Sequence, residues 1–150
     1  MDVLLLIEIN GLKFPLDRKY YTKNNEHLWL KNEKDLVKIG MDAFAAKMLG
    51  VITILSVSKK HVKSEEEIGN FEANKFISKI HSPITGNVVS INKKVLNNPQ
   101  LINEKPYESW ILKIKPDKTK EKNKYLVEGK NAIYKWIIKE FEKKKKKECL

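Results

Sequence analysis

Cysteine is almost missing from this chain: the one residue, Cys149, stands next to the last of 150 positions. A lone thiol excludes an intramolecular disulfide and a cysteine metal cluster. It fits a reducing compartment and reads as an exposed thiol, with a reactive end-placed cysteine as the sharper alternative. Arginine is as scarce. Of thirty basic residues only Arg18 is arginine, the side chain best suited to bidentate phosphate and base contacts. The formal net charge is +11, but the excess sits in two lysine-rich stretches, Lys113 to Lys124 and Lys143 to Lys147. Such blocks are usually solvated tails or interaction arms, so nucleic-acid binding is not the expected role. A basic module for RNA or an acidic protein stays open as a separate class. Long apolar runs are absent too. Val3 to Ile7 is flanked by Asp2 and Glu8, too short and too acidic for a signal peptide, and no run approaches the ~18–20 apolar residues of a membrane span. A cytoplasmic monomer is expected.

Catalytic constellations are also lacking. His27, His61 and His81 have no HExxH-type spacing, there is no Gly-rich phosphate loop, and no Ser or Cys stands in a nucleophile context. Glu65, Glu66, Glu67 and Glu72 are not paired as acid and base. No catalytic residue and no metal site is expected. The sequence argues for a protein that carries or binds.

What is present is a strand-rich body. A chain of this length is one domain with room for an appendage, and its Lys, Glu and Ile richness resembles thermophile composition. Residues 1–10 read as an edge strand broken by Gly11 and Pro15, and 27–39 as a hairpin. Asp42 caps a short helix over 43–49 that Gly50 ends. Strands follow at 51–57, 68–72, 76–80 and 88–91, with a loop at 97–99 and a last strand from Tyr107 to Ile114. Ile133, Trp136, Ile137 and Phe141 share one face of a C-terminal amphipathic helix, read as a packing face. The division expected is an N-terminal extension (1–19), a carrier domain (20–116), a charged linker (117–128) and a helix with a lysine tail (129–150).

One stretch stands out. Asn74-Lys75 lies between Phe71, Glu72, Ala73 and Phe76, Ile77, which reads as a tight hairpin turn with Lys75 at its tip. Most turn lysines are merely solvated; the sharper reading is an attachment point for a swinging cofactor. Strands beginning at Gly50 and Gly86 echo one another with Lys75 between them, as in a sandwich of two related halves or by chance.

The blocks YTKNNEHLWL, VKIGMDAFAAKMLGVI, FEANKF, HSPITGNVVSIN and NNPQLINEKPYESWILKIKP resemble the glycine cleavage H-protein family over about residues 20–116. The resemblance implies a mainly β fold, a flattened β-barrel sandwich of the lipoyl/biotinyl carrier type with short helices. It implies lipoic acid in amide linkage on Lys75, with Glu72 and Gly86 helping a lipoate-attaching enzyme to recognise the turn. The implied protein is a non-catalytic carrier. Phe76 and Ile77 are bulkier than is usual after the lipoyl-lysine, Tyr107-Glu108-Ser109 is short, and the C-terminal part is long. These features resemble the paralogues that serve heterodisulfide-reductase-like sulfur oxidation, and the reading leans to that branch. The alternative is an authentic glycine cleavage H protein, passing an aminomethyl group among glycine decarboxylase, aminomethyltransferase and dihydrolipoyl dehydrogenase. A biotinyl carrier would normally have Met beside the lysine, where Asn74 and Phe76 stand.

Overall fold

The computed structural model describes residues 5–74, 76–118 and 123–148, with Asn24 and Glu148 described by backbone only. Lys75, Cys149 and part of the linker therefore lie outside the described residues.

The chain opens with a hairpin, β1 (Leu6–Ile9) and β2 (Leu12–Pro15). Asn10 and Gly11 both take left-handed φ, 50° and 80°, the geometry of a two-residue hairpin turn. Gly11 thus reverses the strand, where the sequence reading had it only break one. Then come β3 (Lys19–Tyr21), β4 (Leu28–Glu33) and β5 (Leu36–Met41), followed by α1 (Ala43–Met48). The Asp42 carboxylate caps α1 by accepting the Ala45 N–H at 2.9 Å. Next are β6 (Ile52–Val57), β7 (His61–Val62), β8 (Glu67–Ala73), β9 (Phe76–His81) and β10 (Gly86–Ile91). Two short helices, α2 (Lys93–Asn97) and α3 (Gln100–Glu104), precede β11 (Leu112–Pro116), β12 (Leu126–Val127) and the long α4 (Lys130–Glu148).

A curled seven-stranded sheet, in order β12-β3-β4-β5-β11-β10-β7, faces a three-stranded sheet, β6-β8-β9. Between them lies one apolar core that includes Leu30, Ile39, Ile52, Phe71, Ile80 and Ile114. This is the flattened barrel sandwich expected. The two echoing strands, β6 and β10, fall in opposite sheets.

Two stretches differ from the sequence reading. The expected loop at 97–99 is only the joint between α2 and α3. Each helix has five residues, too few for a helical period to show, and Pro99 suits the start of the second. Their buried Val95 and Ile102 close one end of the core. The last strand begins at Leu112, because the residues before it are tied elsewhere. Tyr107 Oη donates to the Lys13 carbonyl at 2.6 Å and accepts the Ala43 N–H at 3.0 Å, and Ser109 Oγ donates to the Leu101 carbonyl at 2.9 Å.

A second core forms outside the barrel. Ile133 and Ile137 of α4 are fully buried against Tyr20, Trp29 and Phe44, together with Ile9 and Phe14 of the first hairpin. Trp29 lies opposite Gly40 in the β4–β5 register, and its ring fills the space a side chain there would need. A Cβ on Gly40 would sit 2.6 Å from Trp29 Cζ2. The chain's one arginine is packed into the same region, its guanidinium over Trp29 and Tyr107 at 4.9 and 5.2 Å. It is not available to a phosphate. Among the described residues, no helix is long and apolar enough to cross a membrane.

His27 joins α4 to the barrel. Its ring lies between Phe44 and Trp136, with centroids 4.5 and 4.6 Å away and both pairs stacked. Nδ1 meets Asp42 Oδ2 at 3.0 Å. Nε2 faces Glu140 of α4 at 3.7 Å, beyond hydrogen-bond reach but close enough for coulombic attraction. Trp136 Nε1 donates to the same Glu140 oxygen at 3.1 Å. Burial works to lower the His27 pKa, but Asp42 and then Glu140 outweigh it and raise it to about 9. Burial likewise works to raise Glu140, and His27 with Lys143 reverses it, leaving the carboxyl below its usual value.

Two outcomes follow from this packing. Gly40→Ala should displace the Trp29 indole and lower stability by about 1–3 kcal/mol, measured by urea unfolding. A histidine raised from 6.5 to about 9 on folding stabilises fully below pH ~6.5, and that contribution fades as pH rises through 9. At about 1.4 kcal/mol per unit, it is worth of order 3 kcal/mol. Stability should therefore fall between pH 7 and 9.5, and His27→Asn should flatten that slope, read from the unfolding midpoint at each pH.

Candidate functional site

The β8–β9 hairpin builds the site. Its closing pair is Ala73 and Phe76, followed by Glu72–Ile77, Phe71–Ser78 and Asn70–Lys79. Two positions, 74 and 75, separate the closing pair, and of these Asn74 is described. Asn74 is left-handed, with φ 51°, as such turns require.

The turn rests on the chain between α1 and β6. The Asn74 N–H donates to the Val51 carbonyl at 3.3 Å. Gly50 has φ +73°, and the Asn74 side-chain amide occupies the place where a Cβ on Gly50 would be. Asn103 of α3 holds this seat from behind. Its Nδ2 donates to the Ala46 and Gly50 carbonyls at 3.0 and 2.6 Å, and its Oδ1 accepts the Ile52 N–H at 3.0 Å. Sequence reasoning took Gly50 as a helix end and the start of an echoing strand, and gave Asn103 no part. The one available signal for Gly50 was a glycine after a helix; nothing local marks Asn103, whose partners are 51 to 57 residues away.

Strand alternation sends Glu72 to the outer face of the small sheet and Phe71 to the core. Glu72 is half-buried, and its carbonyl accepts Thr53 Oγ1 at 3.3 Å. Glu72 is thus three residues from position 75, beside the tip. Gly86 is not brought there. It opens β10, past the turn at the other end of β9. A Cβ on it would overlap the Lys115 carbonyl oxygen and stand 2.7 Å from Ile114 Cγ2, so the close approach of β11 accounts for the missing side chain.

A cleft of about 210 Å³ separates β9 from α1, lined by Met41, Phe44, Met48, Leu49, Phe71 and Ile80 among others. Its wall starts near the tip: Leu49 precedes Gly50, and Phe71 is two residues from the closing pair. Glu26 is the one carboxylate in this lining. It accepts the His81 N–H at 2.9 Å and meets His81 Nδ1 at 3.0 Å. Burial raises the Glu26 pKa, partly offset by His81. A neighbouring group centres on Glu65, which accepts Tyr21 Oη and meets Lys23 Nζ at 3.2 Å and Asn123 Nδ2 at 3.1 Å. His61 pairs with Asp117 on the surface. The three histidines are thus far apart in role, and among the described residues no cluster of His, Cys, Asp and Glu could hold a metal ion.

The comparisons with known proteins agree with this geometry. The family model described as glycine cleavage H-protein matches residues 19–140. The chain is 40% identical over 118 residues to a probable glycine cleavage system H protein 3 of Sulfurisphaera tokodaii, covering 77% of this chain and 85% of that one. It is 33% identical over 132 residues to glycine cleavage system H protein 5 of Aquifex aeolicus, covering 85% and 89%. The crystal structure of a glycine cleavage system H protein from Mycobacterium marinum superposes with a TM-score of 0.69, covering 81% of this chain and 98% of that one at 22% identity, which speaks to the fold. Proteins of this kind are non-catalytic carriers that hold lipoate covalently on a lysine. The chain belongs to the glycine cleavage H-protein family.

Proposed function

We propose that the chain carries lipoate on Lys75 in a glycine cleavage system. The observation that supports the reading is the two-residue turn closed by Ala73 and Phe76 and seated on Gly50, whose second position in the sequence is a lysine. The apolar cleft beside it suits the group. An extended lysine side chain joined to lipoate is about a dozen bonds, or about 15 Å, long. From Phe76 to Ile80, β9 runs about 13 Å. Met48, Leu49 and Phe71 offer the arm an apolar wall and exclude water from it. The bound group would supply a disulfide that opens to thiols and closes again by exchange; the chain supplies position and shelter.

Family members work with glycine decarboxylase, aminomethyltransferase and dihydrolipoyl dehydrogenase, and the same partners are proposed here. The sulfur-oxidation lean of the sequence rested on Phe76, Ile77, the short Tyr107-Glu108-Ser109 segment and the long C-terminal part. The relatives named as glycine cleavage H proteins support the alternative better, and it is adopted. Glu72 keeps its proposed part in recognition by the lipoate-attaching enzyme. Gly86 is proposed to act through the packing of β10 on β11, since it stands away from the tip. The proposed division of the chain keeps 20–116 as the carrier domain.

Incubation with a lipoate ligase, ATP and lipoate should add one lipoyl mass, mapped to Lys75, and Lys75→Ala should abolish it with the fold intact. An unmodified Lys75 would end the carrier reading. The lipoylated chain should then support CO₂ release from glycine by glycine decarboxylase; a lipoylated chain that supports none would turn the assignment back to the sulfur branch. Gly50→Ala should cost about 1 kcal/mol through its left-handed backbone, more once Asn74 is displaced. It should also slow lipoylation severalfold, read from kcat/KM beside the Tm.

A further inference from the structure

The carrier reading leaves the outer face of α4 without a task. The inner face is spent on the barrel: Ile133 and Ile137 are fully buried, and Trp136 and Phe141 pack beside them. The outer face is lysine. Between Lys130 and Glu148 there are eight lysines and three glutamates, and one of the three, Glu140, is turned inward and buried. Lys135, Lys139, Lys143 and Lys146 follow at intervals of four, four and three, so they stand in one row along the helix. All four are exposed, and the row runs about 16 Å. Helix stability does not ask for it. Lysines in the last turn complement the macrodipole, which accounts for Lys145 to Lys147 but not for Lys135 or Lys139. Like charges four residues apart repel. Lys143 meets Glu140 at 3.8 Å; among the described residues Lys135, Lys139 and Lys146 have no acidic partner.

The row is tied to the cleft by contacts. Phe141, the last apolar residue of α4, meets Phe44 edge-on at 5.1 Å, and Phe44 lines the cleft. Glu140 faces His27, a second lining residue, at 3.7 Å, and Lys143 meets Glu140 in turn. Beyond Phe141 the helix continues to Glu148 with no apolar side chain, about 10 Å of charged rod that begins behind the cleft wall. The chemistry of the row selects what covers it. Lysines without arginine suit carboxylates better than the planar, bidentate contacts of nucleic-acid recognition, and the one arginine of the chain is buried. A bilayer would call for an apolar stripe beside the lysines. The stripe of α4 is covered by the barrel, which leaves Tyr134 as its exposed large hydrophobic. An acidic protein surface is the fitting complement.

We infer that the row Lys135, Lys139, Lys143 and Lys146 docks on an acidic strip of the enzyme that loads the arm, glycine decarboxylase, and so brings the cleft to that enzyme. This rests on the carrier reading and adds a surface to it. An arm sheltered in the cleft has to leave it to be loaded, so the loading enzyme approaches the cleft, and α4 is the charged element behind its wall. Attraction between the two charged surfaces speeds and orients the encounter and takes no part in the chemistry on the arm. Its loss is expected in KM and not in kcat.

The test uses the full chain and its own glycine decarboxylase. KM is read from CO₂ release with the lipoylated chain, and Kd from titration of the decarboxylase with the unlipoylated chain. Lys135→Gln, Lys139→Gln and Lys146→Gln together should raise KM and Kd about tenfold at low salt, with kcat and the unfolding midpoint unchanged. The difference should vanish as salt is raised. The control makes the same charge change elsewhere: Lys59→Gln and Lys60→Gln between β6 and β7, with Lys94→Gln on α2, all exposed, should leave both constants unchanged. An unchanged KM or Kd in the α4 variant overturns the proposal, and so does an equal rise in the control, because net charge alone would then be at work. It is also overturned if the native chain binds phosphatidylserine vesicles or single-stranded RNA through these lysines and does not bind the decarboxylase. The carrier reading fails differently, by the absence of a lipoyl mass on the native chain before any variant is made, and the Kd comparison decides the docking row even then.

Discussion

The register of one hairpin governs this molecule. A two-residue turn closed by Ala73 and Phe76 leaves β8 and β9 a single pairing, and a slip by one residue would exchange the two faces. In the observed register Phe71 enters the core, and Glu72 and Ile77 face outward. A slipped hairpin would bury Glu72 and expose Phe71, at the cost of an unpaired buried carboxylate. The same register gives the cleft its wall, since Phe71, Ser78 and Ile80 all line it. The buried face, the cleft wall and the outer face are three results of one pairing.

The turn also needs a foundation, and that comes from distant sequence. Gly50 gives room for the Asn74 amide, and Asn103 fixes the backbone on either side of Gly50 with three hydrogen bonds. The second core, whose Phe44 also lines the cleft, does a comparable job for α4. There, His27 is stacked between aromatic rings and flanked by Asp42 and Glu140. The two arrangements separate roles within one chain: the small sheet presents the tip, and the aromatic cluster holds the terminal segments on the barrel.

Much of this was legible in the sequence. Alternation marked the strands, Asp42 and Gly50 marked the ends of α1, and the apolar stripe of α4 marked its buried face. The Asn74-Lys75 turn was readable from residue type alone. What could not be read depends on contacts between distant residues or on pieces too short for a period. The helices α2 and α3 have five residues each. Gly11 looks the same in sequence whether it breaks a strand or reverses it, and only the left-handed pair Asn10 and Gly11 decides. Asn103 carries no local mark. Gly86 matched the family pattern, but its place at the other end of β9 follows from topology, and its glycine from the nearness of Lys115. The lean toward the sulfur branch came from side-chain size after Lys75, the short Tyr107-Glu108-Ser109 segment and the long C-terminal part, features that the named relatives outweighed.

The seat beneath the turn has a consequence for the order of events in the life of the chain. Twenty-nine of its residues are lysines, and their ε-amines are chemically alike until the chain folds. In an extended polypeptide, residue 75 has only the short run EANKF to distinguish it. The folded hairpin offers a shape to be read, in the left-handed Asn74, the glycine below it and the paired strands behind it. On the carrier reading, the prosthetic group is then a late addition. Attachment waits for β8 and β9 to pair and for α3 to lock their support, so a lipoyl label certifies that the barrel around it has already assembled.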